Sequence, residues 1–281
     1  METVAIVGVG LIGGSFALAL REAGYGGRIL GVSSPRTLQA AFERGVIDEG
    51  VPLEEAAARA DVLYLAQPIE RIFETLERIG ALARPGTLVT DAASTKARIV
   101  ERGRQCVRHA QFLGGHPMAG KETRGVGQAQ GTLFRGRLYL LTPQNPEELE
   151  TAAARNFTAW VRRIGAIPVI LSPEEHDRLV AFTSHLPQVA STALAAVLAE
   201  QLGESALRAA GPGLADVTRL ALSPFDVWRG ILETNAGPIR EALEAYIRKI
   251  ESLRESLQNG RAREDFEIGA GFARKLRDLH N

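Results

Sequence analysis

The chain has 281 residues, enough for one large domain or two ordinary ones, with 45% hydrophobic and 23% charged side chains, as in soluble globular proteins. Its 33 basic residues balance 33 acidic ones, so no net field draws it to nucleic acid or to an anionic membrane surface. Cys106 is the only cysteine, which excludes an intramolecular disulfide, and the amino terminus lacks the pattern of a signal peptide, so a cytoplasmic location is expected.

Val4–Val7 reads as a first strand, followed at once by Gly8-Val9-Gly10-Leu11-Ile12-Gly13 and a helical pattern to Ala23. Strand, glycine turn and helix in that order form a dinucleotide-binding fingerprint. Gly8 permits the tight turn, Gly10 admits the pyrophosphate, and Gly13 lets the helix close on the strand. Leu11 and Ile12 begin the helix, whose free N–H groups and positive dipole end suit phosphate. A second strand, Ile29–Val32, leads into Ser33, Ser34 and Arg36. An NAD-preferring site usually carries Asp or Glu there, about 20 residues past the glycines. Serine removes that charge and Arg36 suits a 2′-phosphate, so the cofactor is NAD or NADP, with the balance tilted to NADP.

Further strands are predicted at Val62–Ala66, Leu88–Asp91, Phe112–Gly114, Leu138–Thr142 and Ile167–Leu171. Helical patterns near Arg36–Arg44, Arg71–Leu82, Lys96–Arg104 and Glu147–Ile164 alternate with them, the signature of a parallel sheet with crossover helices. Asn145-Pro146 and Ser172-Pro173, each followed by two glutamates, read as capped helix starts. Gln67-Pro68 and the run Asp91 to Lys96 follow strands, and ligands in such sheets lie beyond the strands' carboxyl ends.

After Leu171 strand signals stop, and helices are broken at Gly203, Gly211-Pro212-Gly213, Ser223-Pro224, Gly237-Pro238 and Asn259-Gly260. The expected fold is therefore α/β: a Rossmann-type doubly wound parallel sheet over residues 1–171, then an all-helical domain over 172–281. The uncharged stretch Leu179–Ala199 is long enough to raise a membrane question. Its interior polar residues make it a poor lipid-facing segment, and we read it as a buried helix. The apolar runs Leu194–Leu198 and Leu243–Leu253 exceed what one helical layer needs, which suggests a homodimer interface.

Several side chains carry chemistry. His116 follows a predicted strand within a glycine-rich turn, where imidazole suits a general base or, equally, a histidine that only fixes the turn. His185 and Gln188 share a helix face beside Pro187, which should bend the helix into the wall of a cleft. Arg229 suits a carboxylate, although its spacing to Asp226 and Glu233 alone favours a surface ion pair. Lys96 is either an anion contact or an exposed helix lysine, and Glu122 by itself reads as a solvated loop charge. His176 beside Asp177 reads as helix-start structure or an inter-domain seam. His109, His280, Cys106 and His176 lack partners at metal-ligand spacing, so no metal is expected.

Gly114-Gly115-His116-Pro117-Met118-Ala119-Gly120-Lys121-Glu122 resembles the histidine motif of prephenate and arogenate dehydrogenases. Similar in the same order are Gly10-Leu11-Ile12-Gly13-Gly14-Ser15, Leu133-Phe134-Arg135-Gly136, Glu175-His176-Asp177, Ser184-His185-Leu186-Pro187-Gln188 and Trp228-Arg229. The resemblance runs from Val4 to about Asn235, departing at Ser33 and at Lys121, where threonine or serine is common. It implies oxidative decarboxylation of prephenate in tyrosine biosynthesis, with hydride passing to NAD or NADP. Arogenate, with an amino group for the keto group, is the alternative substrate. The resemblance implies His116 and Ser94 as catalytic and Arg229, His185, Glu122 and Gln188 at the substrate. The cofactor contacts are then Gly8, Gly10, Leu11, Ile12, Gly13, Ser33, Ser34, Arg36, Gln67 and Pro68. A β-hydroxyacid or imine dehydrogenase should carry a lysine early in the helical region, where none precedes Lys249. A nucleotide sensor without catalysis would need neither His116 nor Arg229.

Overall fold

A computed structural model describes residues 1–121, 123–259 and 262–278. Contacts gather the chain into two compact units, Met1–Ala236 and Gly237–Asn281.

The first unit is built on an eight-stranded sheet in the order β3-β2-β1-β4-β5-β6-β7-β8. The strands are β1 (Thr3–Val7), β2 (Arg28–Val32), β3 (Glu49–Gly50), β4 (Val62–Leu65), β5 (Leu88–Asp91), β6 (Gln111–Pro117), β7 (Leu138–Thr142) and β8 (Ile167–Ile170). Strand order reverses at β1, whose neighbours β2 and β4 are both parallel to it. Right-handed crossovers in opposite directions place helices on both faces and open a crevice at that switch point. The central strands Val4–Val7 and Val62–Leu65 are buried throughout, as continuous apolar runs in a two-sided sheet require.

Two departures from the sequence reading concern the sheet. β3 is only two residues long and was not expected, nor was the short helix α3 (Leu53–Arg59). β7 runs antiparallel to β6, with Gly114 opposite Thr142 and His116 opposite Leu140, and β8 is parallel to β7. The sheet is thus mixed at one side rather than parallel throughout.

Helices α1 (Leu11–Glu22), α2 (Pro35–Glu43), α4 (Ile69–Ile79) and α5 (Ala97–Cys106) connect the parallel strands. The expected helix Glu147–Ile164 is divided. A 3-10 turn spans Pro146–Glu150, and α6 covers Ala152–Arg163. Thr151, extended at φ −65° and ψ 151°, separates them, and its hydroxyl accepts from the Ala154 N–H at 3.1 Å. Asn145 therefore does not cap a helix through its side chain. Ser172 does: its hydroxyl accepts from Glu175 N, and the Glu175 carboxylate accepts from Ser172 N, starting α7 (Pro173–Val180).

Beyond α7 a π turn, Ala181–His185, leads into α8 (Leu186–Leu202). Leu186 N–H bonds Ala181 O, five residues back, so the ladder widens where Pro187 has no N–H to offer. Leu179–Ala199 is not the buried helix we expected. α8 buries Gln188 and Ser191 while Val197 and Leu202 stand more than half exposed. The unit continues through α9 (Glu204–Ala209), α10 (Pro212–Thr218) and α11 (Phe225–Thr234).

The second unit holds α13 (Ala262–Asp278) and nearly all of α12 (Ala236–Asn259), joined by a 2.8 Å ion pair from Lys249 to Asp265. The helix break falls at Asn235, and Gly237-Pro238 lie inside α12. Pro238 is tolerated because a first-turn N–H has no intrahelical acceptor to lose. Among the described residues no helix is long and apolar enough to cross a membrane.

Candidate active site

The nucleotide cradle forms at the end of β1. Gly8 adopts φ +95°, and a Cβ there would lie 2.5 Å from the Ala66 carbonyl oxygen. At Gly13 a Cβ would lie 2.3 Å from Gly8 O, so α1 can close on the turn only with glycine. Gly10 differs, since a Cβ there meets nothing within 4 Å. It caps α1 without a side-chain hydrogen bond, and the first turn holds no acidic residue. The N–H groups of Leu11 and Ile12 thus face an open space at a positive helix end, which fits a pyrophosphate.

The other expected cofactor residues occupy the rim. Ser33 is exposed at the end of β2, while Ser34 caps α2 by accepting from Thr37 N. Arg36 is exposed and has no ion-pair partner among the described residues. Gln67, after β4, accepts from the Thr75 hydroxyl at 2.8 Å, and exposed Pro68 begins α4.

His116 lies within β6 and not in a turn beyond it. Its neighbouring glycines serve close packing: a Cβ on Gly115 would lie 2.7 Å from Asp91 O, and one on Gly114 2.3 Å from Thr142 Oγ1. β6 is thereby pressed against the end of β5 at Gly115 and against the end of β7 at Gly114. The contact is clamped by a buried ion pair, because Lys96 Nζ donates to Asp91 Oδ2 and to Gly115 O (2.8 Å). Asp91 also accepts from Ala93 N at 2.9 Å and Gly115 N at 3.2 Å. Lys96 is thus neither an exposed lysine nor an open anion contact, since it is 0% exposed. Burial lowers its pKa, and Asp91 opposes that shift.

A hydrogen-bonded chain runs from α5 to His116. Asp177 on α7 accepts from Lys96 N (2.6 Å) and Ala97 N (2.9 Å), so its carboxylate sits at the positive end of α5. His176 Nδ1 lies 2.8 Å from Asp177 Oδ1, and His176 Nε2 lies 2.9 Å from His116 Nδ1. An ionised carboxylate only accepts, so the His176 proton resides on Nδ1 and its Nε2 carries a lone pair. His116 must then donate from Nδ1, which leaves its own Nε2 as an acceptor. Burial foremost, with His176, Lys96 and His185 adding, holds the His116 pKa well below its ordinary 6.5. It is therefore a neutral base at neutral pH.

His185 lies nearby, 1% exposed, its ring edge-on to Trp228 at 5.7 Å and its Nδ1 3.2 Å from Asn235 Nδ2. Asn235 also donates to the Asp177 carbonyl at 2.9 Å. Burial brings the His185 pKa down to about 4. Gln188 is turned inward but spends its amide on Leu220 O at 2.8 Å and Thr192 at 3.2 Å. Ser94 is half-buried after β5, and its hydroxyl makes no hydrogen bond within the described residues. Glu122 lies outside the described residues. Arg229 on α11 is about half exposed, pairs with Asp226 at 2.8 Å, and makes no hydrogen bond to His116, His185 or Gln188.

The sequence reading missed Asn235, placed Asp91 only in a run expected to line the crevice, and took His176 and Asp177 for helix-start structure or an inter-domain seam. The one available signal was the acidic neighbour of His176, but its partner is 60 residues away in sequence. No group of three or more His, Cys, Asp or Glu side chains among the described residues is placed to hold a metal.

Two family models match the chain. The prephenate dehydrogenase nucleotide-binding domain matches residues 16–166, and the prephenate dehydrogenase dimerization domain matches residues 172–269. The chain belongs to the prephenate dehydrogenase family. It is 34% identical to the prephenate dehydrogenase of Bacillus subtilis, over 90% of this chain and 69% of that one. Among solved structures it is similar to a prephenate dehydrogenase from A. aeolicus in complex with hydroxyphenyl propionate and NAD+. That match has a TM-score of 0.89 and 29% identity over 99% of this chain and 98% of the other. Synechocystis arogenate dehydrogenase is also similar, with a TM-score of 0.83 and 29% identity over 99% and 100% of the chains.

The buried histidines of this family member predict an acid-sensitive fold. An unfolded histidine binds its proton below about 6.5, whereas His185 in the fold does so only near 4. Between those values the unfolded state holds more protons, so stability falls as pH drops through the window. Each such histidine adds up to about 1.4 kcal/mol per pH unit. His116 and His176, also lowered, act in the same direction. Urea unfolding midpoints should decline steadily from pH 7 to 4.5; a flat profile would show that these groups are not buried as neutral imidazoles.

Proposed function

We propose that this chain oxidatively decarboxylates prephenate to 4-hydroxyphenylpyruvate, a step of tyrosine biosynthesis. The observation that carries the reading is the Asp177–His176–His116 chain, which leaves a neutral imidazole with Nε2 as acceptor at the β5–β6 end of the sheet. The bound nicotinamide serves as hydride acceptor. As hydride leaves C4 of the ring, the C4 hydroxyl becomes a carbonyl and His116 Nε2 takes its proton. Loss of carbon dioxide from C1 sends its bonding pair into the ring, and the oxygen regains the proton as a phenol. Aromatisation supplies the driving force, so the side chains need chiefly to orient the ring and carry one proton. Ser94 holds the hydroxyl or the nicotinamide edge, His185 and Gln188 line the substrate, and Glu122 orders the mouth.

Arg229 grips a substrate carboxylate. Its present partner Asp226 is exposed, and an exposed pair is worth about 0–1 kcal/mol, so the guanidinium is cheaply released. Arg229→Ala should raise the KM for prephenate by about 10- to 100-fold, the scale of a charge-assisted bidentate contact, with kcat and Tm little changed. An unchanged KM would remove Arg229 from the substrate site.

For the cofactor, no carboxylate stands at Ser33 to repel a 2′-phosphate, and Arg36 at the rim has no ion-pair partner among the described residues, which supports NADP as well as NAD. Residues 1–171 form the dinucleotide-binding region and 172–281 the substrate-binding and dimerisation region. Exposed Val197 and Leu202 in the first unit, and Tyr246 and Ile250 in the second, each supply apolar side chains for a homodimer. The deciding experiment follows reduced nicotinamide by its absorbance with prephenate or arogenate, each with NAD and NADP. Turnover of neither substrate by folded enzyme would refute the reading. Arogenate shares the ring hydroxyl and ring carboxylate, so the same residues serve it, and faster turnover of arogenate would reassign the substrate.

A further inference from the structure

Two buried histidines, His116 and His185, are tied to the same residue by different atoms. Asp177 reaches His116 through its carboxylate and His176, and reaches His185 through its backbone carbonyl and Asn235. The direction of each hydrogen bond follows from what its groups can do. The Asp177 carbonyl can only accept, so the Asn235 face turned to it must be the NH₂ group. That same nitrogen is 3.2 Å from His185 Nδ1 and carries a second hydrogen for it. Asn235 Oδ1 meanwhile lies buried with no hydrogen-bond partner. Rotating the amide would set Oδ1 against the Asp177 carbonyl oxygen, an acceptor facing an acceptor, so this orientation is the better one. His185 Nδ1 therefore accepts, and its proton resides on Nε2. On the other branch the Asp177 carboxylate, held by Lys96 N and Ala97 N, places the His116 proton on Nδ1.

We propose that Asp177 and Asn235 are positioning residues that fix His116 and His185 in opposite tautomers, one offering a bare Nε2 and the other an Nε2–H. The division suits a ring substrate with a proton to give at one end and an anion to satisfy at the other, and so rests on the function proposed above. His116 receives the hydroxyl proton, and His185 donates to a carboxylate or keto oxygen. Both histidines start neutral, as burial favours, and His116 is charged only while it holds the transferred proton.

The direct test is nitrogen-15 NMR of the intact enzyme labelled at histidine, which distinguishes protonated from bare ring nitrogens. His116 should be protonated on Nδ1 and His185 on Nε2; finding both in the same tautomer overturns the proposal. Two variant pairs extend it to turnover. His176→Leu removes the acceptor for His116 Nδ1–H and should lower kcat by about 10²-fold, within the range of general-base contributions. His176→Gln restores an acceptor oxygen and should recover kcat to within about tenfold of wild type, whereas equal losses in both would reduce His176 to a packing role. Asn235→Asp presents acceptors to His185 Nδ1, moves the proton there, and should raise substrate KM by about tenfold or more with kcat nearly unchanged. Unchanged KM with the NMR tautomer reversed would refute the donor role of His185. If wild type turned over no substrate while the opposite tautomers were seen, the proposed reaction would fail and the positioning network would stand.

Discussion

His116→Asn should abolish most turnover while leaving dinucleotide binding intact. Asparagine occupies similar space and can still donate toward His176 Nε2, so the β6 strand keeps its place. What it lacks is a basic lone pair where His116 presents Nε2. General-base catalysis typically contributes about 10²–10⁴-fold, and kcat should fall by that factor. The cofactor cradle at Gly8, Gly10 and Gly13 belongs to β1 and α1, separated from β6 by β4 and β5 in the sheet. Titration of NAD by intrinsic fluorescence should therefore give wild-type affinity. A variant that kept its kcat would show that the imidazole does not handle the proton. One that lost NAD binding would show that His116 supports the cofactor and not the substrate. The pH profile offers a second check on the same group. Because the His116 pKa is depressed, log kcat/KM in the wild type should stay level through pH 6.5 and fall only in more acid solution.

What could be read from the sequence was whatever the chain encodes locally. A glycine at φ +95° and another where a Cβ would lie 2.3 Å from a carbonyl oxygen are local demands, so the fingerprint named its own turn, strand and helix. The capping box at Ser172 was legible for the same reason, its partners being three residues apart. Strand direction was not. β7 carries the same apolar pattern whichever way it runs, and only its pairing of Gly114 with Thr142 makes it antiparallel. Elements as short as β3 and α3 show too few periods to stand out. In the site, His116 was found through its motif, but the residues that give it a tautomer were hidden. Asp177 and Lys96 are 81 residues apart, and Asn235 and His185 are 50 apart. Lys96 looked like a helix lysine because nothing nearby in sequence announces that it is sealed beneath Gly115. α8 misled for the opposite reason. Its uncharged composition signals burial, but a single chain leaves Val197 and Leu202 exposed. Apolar patterning reports that a surface should be covered, and not by what.

Breaking the ion pair beneath His116 should cost more stability than any other change considered, and unequally from its two ends. Asp91 and Lys96 are both 0% exposed. Removing one member of a buried pair typically costs about 3–5 kcal/mol, much of it from the charge left behind. That is a large fraction of the 5–15 kcal/mol that holds a typical domain together. Asp91→Ala deprives Lys96 of its counter-ion and also orphans the N–H groups of Ala93 and Gly115. Lys96→Met leaves those two N–H groups satisfied and takes away one donor from Gly115 O. Asp91→Ala should therefore be the more damaging, near the upper end of that range, and Lys96→Met nearer the lower. The double variant removes both charges and should be less destabilised than the sum of the singles, by more than about 1 kcal/mol. Urea denaturation of the four proteins measures all of these differences. Additive effects would mean that the two groups do not stabilise each other, and that the backbone ladder and the close packing at Gly115 hold β6 against β5. Coupled effects would make the pair the clamp that keeps His116 in register with its relay.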